Sequence, residues 1–296
     1  MNIPFSFEKY IFSDNIVNMH LKLHEKYAEP AQPGLSSRER RLLDAFEAAE
    51  KVKVAAVDVE ELLGVDRSVA SRILSRLQSK GWLVRLKRGI YSVVPLGAPS
   101  PEASLENSWA IAMELFEPCM ISGWTAAEHW DLTDQIFNST AVLTTTPQRS
   151  RTRTVAGLKF VCRVVGPSRF FGAVDVWSGG VSVRMADPHR TVIDILDSPS
   201  FGGGARHSLD VVRAYWLGPH ADADRVLRCA KQLGKGAVLK RLGFTAELWG
   251  NPSDVWNAEC RDVMTAGVSQ LDPKGPKKGR IVSRWRLRVN VPVPSE

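Results

Sequence analysis

DVEELLGVDRSVASRILSRLQSKGWLVRLKRGIYSVV, residues 58–94, decides how the rest of the chain is read. Asp58 followed by Glu61 has the spacing of a capping box, so a short helix carrying Val59, Leu62 and Leu63 is expected to start there. Gly64 can adopt the left-handed conformation that ends a helix, and Asp66 can cap the next one two residues later. Turned at 100° per residue, the second helix, about Arg67 to Lys80, sorts its side chains by kind. Val69, Ala70, Ile73, Leu74 and Leu77 share one face. Ser68, Ser71, Arg72, Ser75 and Ser79 point away from it, with Arg67 and Arg76 on the flanks. No carboxylate interrupts that outer face after Asp66.

Gly81 stops the helix, and Trp82 to Val84 and Ile90 to Val93 read as two strands around a loop, Arg85-Leu86-Lys87-Arg88-Gly89. From Asp66 to Tyr91 there are seven Lys or Arg and one acid. Helix, tight turn, basic helix and basic hairpin form the pattern of a winged helix-turn-helix. Small hydroxyls permit close approach to a surface, and arginine donates to phosphates or to a guanine edge, so the helix suits a DNA major groove. The expected DNA contacts are Arg67, Ser68, Ser71, Arg72, Ser75 and Arg76 on the helix. Arg85, Lys87, Arg88 and Tyr91 of the wing would join them on flanking phosphates. The plainer alternative is a helix-hairpin module for protein contacts, with its basic face in water.

Working outward, the chain has 296 residues, 44% of them hydrophobic and 24% charged, which is ordinary globular composition with room for two cores. Its net charge of +7 is uneven. Residues 36–95 hold twelve cations against eight acids, and residues 271–296 hold seven against two. Charge concentrated in this way points to a nucleic-acid partner. Cys119, Cys162, Cys229 and Cys260 are far apart, which argues against a zinc site or a disulfide framework. With no basic-then-apolar leader and no run of 18 apolar residues, a cytoplasmic, non-membrane protein is expected.

The expected fold class is α+β: an N-terminal winged helix-turn-helix domain followed by a larger mixed α+β domain. Residues 1–34 read as an arm with a helix around Asn15 to Tyr27. Residues 35–95 are the DNA-binding domain, opened by a Ser36/Glu39 capping box and a helix carrying Leu42, Leu43 and Phe46. A short strand within Val52 to Val57 would pair with the wing. Residues 96–102 form a stiff proline-rich linker. Residues 103–296 form the second domain, with a helix from about Glu102 to Phe116. Strands are expected at Cys119–Ser122, Thr140–Thr145, Leu158–Val165, Val174–Trp177 and Val181–Met185, with a helix at Thr125–Trp130. Asp187-Pro188 starts a helix to about Leu196, and further helices follow at Ser208–Leu217, Asp222–Leu233 and Ala237–Leu248. Ile281 to Val291 alternates apolar residues with Arg284, Arg286 and Arg288, so it reads as one strand showing three guanidinium groups on a face. That second basic surface would bind nucleic acid or an acidic protein, or would only protect a sheet edge.

No catalytic constellation stands out, so no catalytic residue, metal or cofactor is expected. His20 and His24 share a helix face without a third ligand. Asp222 and Asp224 have the spacing of a metal-holding pair but sit where a helix cap is expected. Gly202-Gly203-Gly204 lacks the lysine and hydroxyl of a phosphate loop. Sequence-adjacent acids beside His129 and His189 do not make an acid-base pair.

The order of elements resembles the AbiEi family, antitoxins of type IV toxin-antitoxin systems, and most of all the mycobacterial members called MenA. The residues that carry the likeness are the recognition helix, Lys80-Gly81-Trp82 and Arg88-Gly89-Ile90-Tyr91. After the proline-rich link come Ile121-Ser122-Gly123-Trp124-Thr125-Ala126-Ala127 and Ala186-Asp187-Pro188-His189-Arg190-Thr191 through Asp194. The likeness spans roughly residues 36 to 230, and His189 stands where many relatives would carry Glu. It implies a non-enzymatic transcriptional repressor that binds operator DNA with inverted repeats and autoregulates its operon. It also implies a second domain that counters a nucleotidyltransferase-like toxin. An inverted repeat would hold two copies about one DNA turn apart, as a preformed dimer or as monomers meeting on DNA. Two other classes remain open: a DNA-processing enzyme, and a ligand-sensing transcription regulator without a toxin partner.

Overall fold

The computed structural model of the protein describes residues 34–49, 51, 53–94, 108–155, 157–178 and 181–294. The arm's helix around Asn15 to Tyr27, the linker 96–102, the first residues of the helix expected from Glu102, and Gly179-Gly180 lie outside them. The described fold is α+β, and its buried residues gather into three clusters.

The first cluster is built by α1 (Ser37–Ala48), β1 (Val54–Ala55), α2 (Ala56–Leu63), α3 (Arg67–Ser79), β2 (Leu83–Lys87) and β3 (Ile90–Val93). Ser36 and Glu39 form the expected capping box at α1. Helix α2 starts three residues earlier than a cap at Asp58 suggests. Its N-cap is Ala55, and Asp58 sits at the third helical position, where its carboxylate accepts from the Ala55 amide at 2.7 Å and pairs with Lys51. An acid one turn inside a helix satisfies the free N–H groups as well as one at the cap, so the spacing alone did not fix the start. Gly64 ends α2 at φ 61°, and the Asp66 carboxylate accepts from the amides of Ser68 and Val69 to start α3. Ala70, Ile73, Leu74 and Leu77 are buried against Leu42, Leu43, Phe46 and Val59. Strand β1 pairs with β3, Val54 opposite Tyr91.

The wing differs from the expected five-residue loop: β2 runs on to Lys87, and only Arg88-Gly89 turns. Across the hairpin Arg85 lies opposite Tyr91 and Lys87 opposite Ile90, so Leu86 is a bulged residue with no partner of its own.

The second cluster lines a six-stranded mixed sheet in the order β6-β7-β5-β4-β9-β8. The strands are β4 (Cys119–Ile121), β5 (Thr140–Thr144), β6 (Thr152–Val155), β7 (Leu158–Val164), β8 (Ala173–Ser178) and β9 (Val181–Ala186). Arg153 lies in the edge strand β6, and Arg151 directly precedes it. Helices α4 (Ser108–Phe116) and α5 (Gly123–His129) pack on this sheet.

The third cluster is helical: α6 (Pro188–Asp197), α7 (Ala205–Leu217), α8 (Ala223–Leu233), α9 (Gly236–Thr245) and α10 (Asp254–Asp262). Asp187 caps α6 by accepting from the Arg190 amide at 2.6 Å, with Pro188 in the first turn, as its sequence suggests. Helix α10 lies in the stretch before Pro273 that is expected to be helical, and Ser253 caps it by accepting from the Trp256 amide. A small sheet closes the cluster: β10 (Ser269–Gln270), β11 (Arg280–Val282) and β12 (Leu287–Val289).

Candidate nucleic-acid interface

Helix α3 presents Arg67, Ser68, Ser71, Arg72, Ser75 and Arg76 to solvent while its opposite face is buried. The hydroxyl of Ser68 donates to Asp66 at 2.7 Å, reinforcing the cap. Among the described residues, Arg67 and Arg72 have no carboxylate partner, so their guanidinium groups keep all five donors for a ligand. Arg76 differs. Its Nε donates to Glu39 of α1 at 2.9 Å, and Lys80 reaches the same carboxylate at 3.0 Å, while 58% of the Arg76 side chain stays exposed.

Glu39 is the element the pattern of α3 could not reveal. Its carboxylate is 3% exposed and accepts from the Ser36 amide at 2.8 Å as well as from the two cations. Burial alone would raise its pKa. The Ser36 amide and hydroxyl, Lys80 and Arg76 outweigh that and hold it at about 2. Glu39 thus ties the C-terminal turn of α3 to α1 and fixes the angle at which the basic face is offered.

The wing is a wall between two cores. On one face Leu83 and Tyr91 are buried with the winged-helix residues. On the other, Leu86, 3% exposed, belongs to the same buried cluster as Ile111 and Phe116, and Val84 and Ile90 pack against that cluster. The bulge lets Leu86 leave the ladder and enter the second core. Lys87 donates to the Glu114 carbonyl at 2.8 Å, and Arg153 reaches the Leu86 carbonyl at 3.5 Å with its guanidinium 5.6 Å from the Phe116 ring centre. Lys53 pairs with the Glu114 carboxylate at 2.9 Å, which raises its pKa above the ordinary lysine value.

These placements correct part of the expected site. Tyr91 is 8% exposed and its side chain belongs to the core, so it does not face a phosphate backbone. Lys87 is exposed but its ammonium is bonded to Glu114. Arg85 and Arg88 are exposed and, among the described residues, unpaired. The usable cations are therefore Arg67 and Arg72 on the helix and Arg85 and Arg88 on the wing, with Arg76 shared.

The C-terminal surface is also corrected. Residues 281–291 are not one strand: Ser283–Trp285 form a 3-10 turn, and Arg286 sits at φ 46°. Trp285 is buried against Gly243, where a Cβ would lie 2.1 Å from its ring, so the chain must swing inward there. Arg284 pairs with Glu247 at 2.6 Å, Arg286 donates to the Thr265 carbonyl at 3.2 Å, and Arg288 reaches the Gly279 carbonyl at 3.5 Å. Three guanidinium groups do not share one strand face.

In the second domain the residues of the Ser122-Gly123 and Asp187-to-Asp194 motifs meet in a buried network. Arg190, fully buried, donates to both Asp194 oxygens at 2.9 and 2.8 Å, and the Ser122 hydroxyl donates to the same carboxylate at 2.8 Å. At Gly123, φ 57°, a Cβ would lie 2.3 Å from the Phe201 carbonyl oxygen. The two motifs clamp α5 to α6. Asp222 caps α8, accepting from the Arg225 amide at 2.8 Å, and Asp224 follows in the first turn. Among the described residues no group of three His, Cys, Asp or Glu could hold a metal ion, and no helix is long and apolar enough to cross a membrane.

Residues 43–94 match a family model, AbiEi_4, described as "Transcriptional regulator, AbiEi antitoxin". The match begins within α1 and ends after β3, so it covers the recognition helix and the wing. No curated protein matches the chain. Among solved structures, the crystal structure of the RV2827C protein from Mycobacterium tuberculosis is similar in fold. It has a TM-score of 0.61 at 14% identity, over 88% of this chain and 94% of that one.

Proposed function

We propose that this chain is a non-enzymatic, DNA-binding antitoxin of a type IV toxin-antitoxin pair, of the MenA kind, working in the cytoplasm. In this reading it represses its own operon by binding inverted repeats as two copies, and it counters a nucleotidyltransferase-like toxin. The observation that carries the reading is the solvent face of α3, where Arg67 and Arg72, neither of them ion-paired among the described residues, stand among Ser71 and Ser75. The family match over residues 43–94 supports the same assignment. Arg72 and the serines then approach base edges and phosphates, and Arg85 and Arg88 hold the flanking backbone.

The test is fluorescence anisotropy with the duplex upstream of the chain's own reading frame, comparing the parent with Arg72→Ala and Arg88→Ala. Arg88→Ala is expected to weaken binding to all sequences and to lower the salt slope by about 1, the loss of one phosphate contact. Arg72→Ala is expected also to relax sequence preference. Parental binding by both variants at moderate salt rejects the DNA assignment. Co-expression with the adjacent reading frame tests the antitoxin half: a toxic nucleotidyltransferase-like product that the chain fails to counter rejects it. Cutting or modification of labelled DNA in Mg²⁺, lost in Asp222→Ala with Asp224→Ala, would move the chain to the DNA-processing class instead.

A further inference from the structure

A cavity of about 400 Å³ opens in the second domain between Trp130 of the sheet layer and the N-terminal turns of α6 and α8. Asp187, His189, His220, Asp222 and Arg225 line it with Trp130. Its volume lies within the range of sites that take small ligands.

His189 is the informative wall residue. Its side chain is 7% exposed, and its Nδ1 lies 2.8 Å from the Tyr215 hydroxyl. That hydroxyl also accepts from the Asp222 amide at 3.1 Å and donates to the Asp222 carbonyl at 3.2 Å, so the ring is held in place through Nδ1. Nε2 has no partner among the described residues, yet it is not sealed off from solvent, so a buried ring holds an unpaired nitrogen at the cavity wall. Burial keeps the ring neutral by lowering its pKa. Asp187 and Asp222 push the other way, and Arg225 and His220 add to the lowering.

The two aspartates each spend one oxygen on a helix cap, Asp187 on the Arg190 amide and Asp222 on the Arg225 amide. Their second oxygens have no partner among the described residues and face no sealed pocket. The Trp130 indole is fixed by its N–H bond to the Ala186 carbonyl at 2.8 Å, with the His220 ring 5.8 Å away edge-on. The site therefore offers a rigid flat wall, two carboxylate acceptors, one imidazole nitrogen and the guanidinium of Arg225 at an exposed position.

This set discriminates among ligand classes. A bare anion would meet two carboxylates, and a compact cation would meet Arg225. An alkyl chain would leave the donors and acceptors unsatisfied. A flat, neutral heterocycle with amino donors and ring or carbonyl acceptors satisfies every group at once. We infer that the cavity between Trp130, His189 and the two capping aspartates is a nucleobase site that binds a ribonucleoside. The ring lies along Trp130, its amino group donates to Asp187 or Asp222, an acceptor atom receives from Arg225, and a ring nitrogen or N–H pairs with His189 Nε2.

The test is isothermal titration calorimetry of the full chain, without DNA, against adenosine, guanosine, cytidine and uridine in turn. Ribose and inorganic phosphate serve as controls. At least one nucleoside is expected to bind while ribose and phosphate do not. The double variant His220→Ala with Arg225→Ala, which leaves the Tyr215 network untouched, is expected to bind that nucleoside at least about tenfold more weakly. A nitrogen-15 NMR spectrum of histidine-labelled parent is expected to show the His189 Nε2 resonance moving on addition of the nucleoside. This readout stands even if the double variant folds poorly. Failure of all four nucleosides to bind at about 1 mM overturns the inference, as does an unmoved His189 resonance or equal binding of ribose or phosphate.

Discussion

Replacing Glu39 by Gln tests the claim that one buried carboxylate sets the pose of the recognition helix. Gln keeps the shape and removes the charge that holds Arg76 and Lys80 at 2.9 and 3.0 Å. The carboxyl's pKa falls from 4.5 to about 2 in the folded chain. At about 1.36 kcal/mol per pH unit that is worth about 3 kcal/mol of folding stability. Arg76 is more than half exposed, so solvent screens its share, and a loss of about 1–3 kcal/mol is the expected range. The sign follows from a depressed acid: the stabilisation is complete above pH 4.5 and is lost as the pH falls from there through about 2. The gap between parent and Glu39→Gln should therefore be full at pH 7 and less than half as large by pH 3. Hydrogen exchange of the α1 and α3 amides, compared between the two proteins at each pH, reads this gap locally. The same substitution releases α3 from its pose against α1, so DNA affinity should fall together with stability, even though one positive charge is added to the basic face. A gap independent of pH, or affinity that holds or rises while stability falls, refutes the role assigned to Glu39.

Three further expectations follow from named contacts. Leu86→Ala empties the point where the wing enters the second core, and should cost about 2–5 kcal/mol. It should also raise exchange in both the wing and α4, whereas a loss confined to the wing would show that the two cores do not share the hairpin. Lys87→Ala removes the bond to the Glu114 carbonyl and should loosen the wing in exchange experiments, while Arg88→Ala should leave exchange unchanged and alter only DNA affinity and its salt slope; the reverse pattern would put Lys87 on DNA. Asp194→Asn leaves Arg190 buried beside a neutral partner and should destabilise by about 3–5 kcal/mol in thermal melts. Asp222→Asn, which keeps a capping side chain, should change the melting temperature far less.

Much of the DNA-facing half was legible in the sequence because its signals are local. Capping residues at Ser36 and Asp66, the left-handed glycine at Gly64 and the 3.6-residue spacing of Ala70, Ile73, Leu74 and Leu77 act within one or two helical turns. A helix with a basic outer face follows from them without knowledge of any neighbour. Alternation and turn residues likewise marked five strands of the six-stranded sheet, though neither the edge strand Thr152–Val155 nor the order in which they pair.

What the tertiary structure alone decided depends on partners distant in the chain. Glu39 and Arg76 are separated by 37 positions and Lys87 and Glu114 by 27, so no local period could show which cations are spent within the fold. Tyr91 looked available because alternation says only that a side chain faces one side of a strand; β1 and α1 make that side an interior. In the tail, regular alternation predicted one strand, but burial of Trp285 against Gly243 broke it, since filling a core outweighs the weak preference of an edge residue for extended backbone. The sequence determined where a cationic helix would form. Packing against remote residues determined which of its charges remain free to meet a partner.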